Sequence, residues 1–271
     1  MRWIGRLSAD FPLQIRQPNQ ERSFYGRIQG VCCNRCSQMS STLNRGSGPN
    51  RIFLLSPANI AGIRARFVVR DGANSEIAVR LRQGDVSLGE IFSFISGLYF
   101  RGKLAYAREF SNPPPTVEGI FVITSSGGLV TPDARMTPER LREISSGNID
   151  PCNGHYRSLL DGDARKLARM CGQSCQFILL GSVATPKYVE PLLTVLGQQL
   201  MFPTEFVGRG DMSRGGLMLR CAESGRQLTY IPVLGAVRHG PKPPKLTPLR
   251  RKNVPSAIDV VSNASLIPTN S

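Results

Sequence analysis

Four short apolar runs, each leading into a turn of small residues, constrain this 271-residue chain more than anything else in it. Arg51-Ile52-Phe53-Leu54-Leu55 closes on Ser56-Pro57, and Gly119-Ile120-Phe121-Val122-Ile123-Thr124 opens into Ser125-Ser126-Gly127-Gly128. Gln176-Phe177-Ile178-Leu179-Leu180 ends at Gly181-Ser182, and Leu200-Met201-Phe202 leads toward Gly208-Arg209-Gly210-Asp211. Runs this short that stay apolar instead of alternating read as strands covered on both faces. A further run at 228–233, after Gly225, reads as a last strand.

The stretches between the runs read as helices. Residues 75–82 put Ile77, Ala78 and Leu81 on one side. Residues 88–110 read as a helix pair broken near Gly97, with Leu98, Arg101, Leu104, Ala105 and Arg108 recurring at spacings of three and four in the second half. Thr137-Pro138 and Thr185-Pro186 each set an N-cap hydroxyl before a first-turn proline. Residues 155–171 carry Leu160, Ala164, Leu167 and Cys171 on one stripe. Buried strands alternating with amphipathic helices predict a three-layer α/β fold, a mostly parallel sheet with helices on both faces. Residues 51–237 make up that single domain.

Charge then separates the domain from its ends. The chain holds 34 Lys and Arg against 19 Asp and Glu, a formal net charge of +15. Residues 1–50 and 238–271 contribute +5 each, and the 187 residues between them only +5. A polyanionic partner is therefore an expectation for the ends more than for the domain. Residues 1–50 have no sustained hydrophobic period and are expected to be disordered or an upstream extension of the reading frame, with the natural start at Met39. Residues 238–271 interleave prolines with Lys and Arg and are expected to be a flexible, extended basic tail.

No apolar run approaches the roughly 18 residues of a membrane span, and the first residues lack a secretory h-region. With an odd count of seven cysteines, a reduced, cytoplasmic setting is expected. Cys32, Cys33 and Cys36, and Cys171 with Cys175, have spacings found in zinc sites. The second pair falls where a helix ends and a strand begins, where cysteine packs as a small hydrophobe. No metal is expected, and whether there is a cofactor stays open.

In open α/β sheets ligands bind beyond the carboxyl ends of the strands, where the four turns converge. Small residues let backbone amides approach a ligand, and hydroxyls add donors and acceptors. The expected ligand-binding residues are Ser56, Thr124, Ser125, Gly181, Ser182 and Thr185, with Arg209 and Arg214 reaching a phosphate. The same residue types also serve as plain turn formers.

The chain has no G-x-x-x-x-G-K-[ST], which excludes a P-loop. Gly208-Arg209-Gly210 begins like a dinucleotide fingerprint, but Ser213 stands at the third glycine, and Asp211 reads as a helix N-cap. His155 and His239 are the two histidines, and neither follows a strand; H-E-x-x-H and G-x-S-x-G are absent. Any acid–base chemistry then falls to a carboxylate, with Asp133 and Glu205 as the catalytic candidates. Whether the chain is an enzyme stays open. Tyr99, Arg101 and Lys103 mix rings with cations, either as a face that stacks bases and neutralises phosphate or as the outer flank of a core helix.

The order of Leu98-Tyr99-Phe100-Arg101-Gly102-Lys103, then Gly128-Leu129-Val130-Thr131-Pro132-Asp133, then Lys187-Tyr188-Val189-Glu190-Pro191-Leu192-Leu193 resembles an uncharacterised bacterial Rossmann-like α/β domain family. The resemblance covers about residues 98–220. That family is distantly similar to peroxide-stress proteins and to modified-base and uracil-glycosylase-like domains. This chain departs from it at Ser126-Gly127, where bulkier Lys and Tyr are usual, and at the glycine-rich 208–211 turn. The resemblance implies a connection to nucleobases or nucleic acid. The leading expectation is a strand-end site for a nucleobase, nucleotide or nucleic-acid end, with base or nucleotide processing as the reaction if there is one. The alternative is a non-catalytic nucleic-acid-binding or assembly protein that uses a basic surface and the tail.

Overall fold

The computed structural model describes residues 48–70 and 72–247. The expected N-terminal extension up to residue 47, the start at Met39, Cys32, Cys33, Cys36 and the tail beyond residue 247 lie outside the described residues.

Strand β1 (Arg51–Leu55) is buried from Ile52 onward and sits in the middle of the sheet. It pairs in parallel with β2 (Ile120–Ile123) on one side and β4 (Gln176–Leu180) on the other. Strand β5 (Leu200–Pro203) pairs in parallel with β4. Both edges are antiparallel: β3 (Leu129–Val130) returns along β2, and β6 (Tyr230–Pro232) lies against β5. The order is β3-β2-β1-β4-β5-β6, a mixed six-stranded sheet. The sequence reading missed β3 because a two-residue strand has no period to detect. Its antiparallel sense follows from the short connection through Thr124 to Gly128, which is too short for a crossover.

The strands send alternate side chains into two cores. Phe53, Leu55, Val122, Ile178 and Leu180 pack with α3 (Leu88–Ser96), α4 (Leu98–Phe110) and α8 (Asp211–Ser224). Ile52, Leu54, Phe177 and Leu179 pack with α6 (Gly154–Cys171) and α7 (Pro186–Leu196). Two short helices, α1 (Arg66–Val69) and α2 (Glu76–Arg82), precede α3, and α5 (Pro138–Ser145) precedes α6. Helix α3 starts on a capping box of Ser87 and Glu90. Hydrogen bonds from Ser87 and then Arg80 hold the Glu90 carboxyl down at about 2. Helices α5 and α7 begin after Thr137 and Thr185 with proline in the first turn. No helix among the described residues is long and apolar enough to cross a membrane.

Two expectations change here. The N-cap of α8 is Gly210, with no side-chain cap hydrogen bond, and Asp211 is the first helical residue. The described part of the expected tail packs: Arg238 Nη1 donates to the Val183 carbonyl at 3.3 Å, and Leu246 lies against the core. A Cβ on Gly208 would run into the Pro241 carbonyl oxygen, so that backbone crosses the turn after β5 at contact distance.

Candidate functional site

Helices α4 and α8 cross at two glycines. A Cβ on Gly102 would lie 2.5 Å from the Gly215 carbonyl oxygen, and a Cβ on Gly215 would lie 2.7 Å from that of Leu98. Only residues without a side chain let the backbones come this close. The crossing brings Tyr99 and Lys103 of α4 to the first turn of α8, beside the turns that follow β1, β4 and β5.

Lys103 is wholly buried. Its Nζ donates to the Ser56 carbonyl and lies 2.8 Å from Ser56 Oγ. It also lies 4.5 Å from the centre of the Tyr99 ring and 4.9 Å from that of Phe100, as in cation–π contacts. Burial pushes the amine down to about 7, against a smaller opposing pull from Asp211. Next to Ser56, a Cβ on Gly181 would sit 3.0 Å from Ser56 Cβ, so the turns after β1 and β4 nearly touch.

Arg214, one turn into α8, is 7% exposed. Its Nη2 donates to the Phe206 carbonyl at 2.9 Å and its Nη1 to that of Gly181 at 3.5 Å. The guanidinium also lies 5.1 Å from the centre of the Phe206 ring. Its ion pair, with Asp211 at 3.6 Å, is loose, and the Asp211 side chain is 66% exposed. Arg214 Nε and the Tyr99 hydroxyl are buried without a hydrogen-bond partner. Burial and then the Asp211 charge push the Tyr99 hydroxyl up to about 12, opposed by Arg214 and Ser56. A buried donor left unsatisfied costs on the order of 1–3 kcal/mol, and two of them meet here.

Beside this cluster opens a cavity of about 270 Å³, lined by Ala58, Asn59, Phe92, Thr124, Ser125 and Tyr188, among others. Tyr188 links the two features: it lines the cavity, and burial, Tyr99 and Asp211 together push its hydroxyl up. Larger hollows of about 550 and 470 Å³ lie along Ile63 to Ser75 and at the carboxyl end of α7, and neither is lined by the turns that directly follow β1, β2, β4 and β5.

Of the expected ligand-binding residues, Ser56, Gly181 and Arg214 meet in the cluster, and Thr124 and Ser125 line the cavity. The last two hydroxyls are turned inward: Thr124 Oγ1 donates to the Gly128 carbonyl at 3.0 Å, and Ser125 Oγ to that of Ile144 at 3.2 Å. Ser182 Oγ and Thr185 Oγ1 bond each other at 3.3 Å, where α7 begins. Arg209 folds back on its own turn, donating to the Glu205 carbonyl and to Ser213 Oγ.

The carboxylates do not join the cluster. Asp133 is exposed and paired with Arg108 at 2.6 Å. Glu205 accepts from the Thr229 amide at 3.2 Å and from the Thr204 hydroxyl, so both are structural acceptors. Tyr99 and Lys103 are buried while Arg101 is exposed, so the three form no common face for stacking bases. Sequence reasoning missed Tyr188 and Phe92 as cavity walls and the inward direction of Lys103. The signal for the last was Gly102 itself, a glycine inside a helix.

Cys171 and Cys175 are buried free thiols. Comparison with known protein families, with curated proteins and with solved structures finds no match to this chain, so the reading of the site rests on its own residues.

Proposed function

We propose that this chain binds a small anionic ligand of the nucleobase or nucleotide class at the carboxyl ends of its strands, the base in the 270 Å³ cavity and the anion toward Arg214. The observation that carries the reading is Arg214: a guanidinium that stays charged, is almost wholly buried, and has a free Nε and a loosely paired, exposed Asp211. A buried cation without a close counter-charge costs several kcal/mol, and an anionic ligand relieves that cost. The first turn of α8, uncapped by any side chain, adds backbone amides suited to an anion.

The cavity supports the other half. Phe92 and Tyr188 offer ring faces, and Asn59 and Ser125 offer polar edges, a small-ligand combination. The reading takes the chain as a cytoplasmic, three-layer, mostly parallel α/β domain of the bacterial type it resembles. The packed segment 238–247 carries Arg238, Lys242 and Lys245 past the turn after β5. That placement favours a 5′-phosphorylated nucleic-acid end as the second reading.

Native mass spectrometry of the purified protein tests this: a retained mass in the nucleoside monophosphate range supports it. Full-length protein that retains none, and shows no thermal shift with a panel of nucleotides and a 5′-phosphorylated oligonucleotide, overturns it.

A further inference from the structure

We propose that Ser56 is a nucleophile for acyl transfer, with Lys103 as its general base and Tyr99 and Arg214 as donors to the oxyanion. The inference shares its location with the binding site above but not its ligand class. Nucleophilic catalysis needs a hydroxyl within hydrogen-bond reach of a base and a place where the new negative charge is met by fixed donors.

The first requirement is met at 2.8 Å between Lys103 Nζ and Ser56 Oγ. A neutral amine has one lone pair to accept the hydroxyl proton while one N–H stays on the Ser56 carbonyl, the second contact observed. Lysine acts as a base only when its surroundings strip the proton near neutral pH. Complete burial does so here, and the amine sits at about 7. The groups that face it are Ser56 from the turn after β1, Tyr99 on its own helix and Asp211 across on α8.

The second requirement accounts for the two orphaned donors. Arg214 donates through Nη1 and Nη2 to the Gly181 and Phe206 carbonyls, while its Nε–H and the Tyr99 hydroxyl have no hydrogen-bond partner. The Tyr99 hydroxyl lies among Ser56, Arg214 and Asp211, the groups that act on its acidity. Two free donors suit the single oxygen of a tetrahedral acyl intermediate. Ser56 itself is 6% exposed, and the cavity opens at the next residues, Pro57 and Ala58. The substrate class is a small carboxylic ester or thioester.

In the step, Ser56 Oγ bonds to the carbonyl carbon as its proton passes to Lys103 Nζ, and the carbonyl π pair moves onto the oxygen facing Tyr99 and Arg214. Collapse breaks the bond to the alcohol or thiol, which leaves with the proton from Lys103. Water then cleaves the Ser56 ester by the same sequence and returns the enzyme.

The test is covalent labelling of the full-length protein with a small alkyl fluorophosphonate, read by peptide mapping. The expected result is one adduct on Ser56, with a rate that climbs with pH through about 7, following loss of the proton from Lys103. Lys103→Gln is expected to label at least about 100-fold more slowly. Tyr99→Phe, which removes one hydroxyl and keeps the buried ring, is expected to slow labelling by about 100-fold. Absence of a Ser56 adduct between pH 6 and pH 9.5, or a rate indifferent to pH and to Tyr99→Phe, overturns the proposal even if Lys103→Gln does not fold. If labelling fails while nucleotides still bind, the nucleophile falls and the binding reading stands. If Ser56 labels as described and no nucleotide binds, the nucleophile stands and the binding reading falls.

Discussion

Gly102 and Gly215 hold the backbones of α4 and α8 in contact, so closely that a Cβ on the first would reach 2.5 Å from the carbonyl oxygen of the second. Every buried polar group of the site on these helices depends on that crossing. Tyr99 and Lys103 flank Gly102 on α4, and Arg214 adjoins Gly215 on α8.

Gly102→Ala should therefore act on both fold and site. A methyl group forced against backbone costs about 1–3 kcal/mol or more, and the helices must separate to admit it. Urea unfolding should show a midpoint lowered by a corresponding amount, and the variant should lose ligand affinity. Stability equal to the wild type would mean the crossing is not tight.

Lys103 gives stability a pH signature with a definite sign. In the unfolded chain the amine keeps its proton to about 10.5, whereas in the fold it gives it up at about 7. Below pH 7 the full cost of burying the charge is present. Between pH 7 and 10.5 the unfolded state binds more protons, so stability rises with pH, by up to about 1.4 kcal/mol per unit. Unfolding free energies of wild type and Lys103→Met at pH 6.5, 8 and 9.5 check this. Their difference should shift in favour of the wild type as pH rises, since the other titrating groups are common to both; a constant difference contradicts it.

The thiols should divide by burial. Burial pushes the Cys171 thiol up and the Cys175 thiol to about 12, whereas Cys152 is exposed. Because the thiolate is the reactive form, brief iodoacetamide treatment at pH 8 should modify Cys152 and spare Cys171, Cys175 and Cys221 in peptide maps. Comparable modification of Cys171 or Cys175 would overturn their assignment as packing residues.

Asp133→Asn should leave ligand binding unchanged. Its ion pair with Arg108 joins two largely exposed side chains, and such pairs contribute about 0–1 kcal/mol. Calorimetric titration of this variant with whichever nucleotide binds the wild type provides the check, and weakened binding would return Asp133 to the site.

Much of this was legible in the chain itself. The uninterrupted apolar runs mark β1, β4 and β5 because a doubly covered strand has no polar face to display. The Thr-Pro pairs mark α5 and α7 because capping chemistry is local. Gly97 marks the break between α3 and α4, at φ +60°. The turns after the strands pointed to Ser56, Gly181 and Arg214. What escaped is long-range. Gly102, a glycine inside a helix, marks a close approach next to Lys103, but nothing local says that its partner is Gly215, 113 residues further on. Lysine at helical spacing reads as a solvated flank, and the crossing reverses that. The antiparallel edges escaped for a related reason: apolar runs record burial, not direction.

The central claim, that buried Arg214 and the cavity walled by Phe92 and Tyr188 take an anionic nucleotide-class ligand, is tested most directly by comparing nucleoside monophosphates with their parent nucleosides in thermal unfolding of the full-length protein. The account predicts that at least one monophosphate raises Tm by several degrees, that its nucleoside does so far less, and that Arg214→Gln abolishes the difference. A monophosphate and nucleoside that act alike, or not at all, would contradict it.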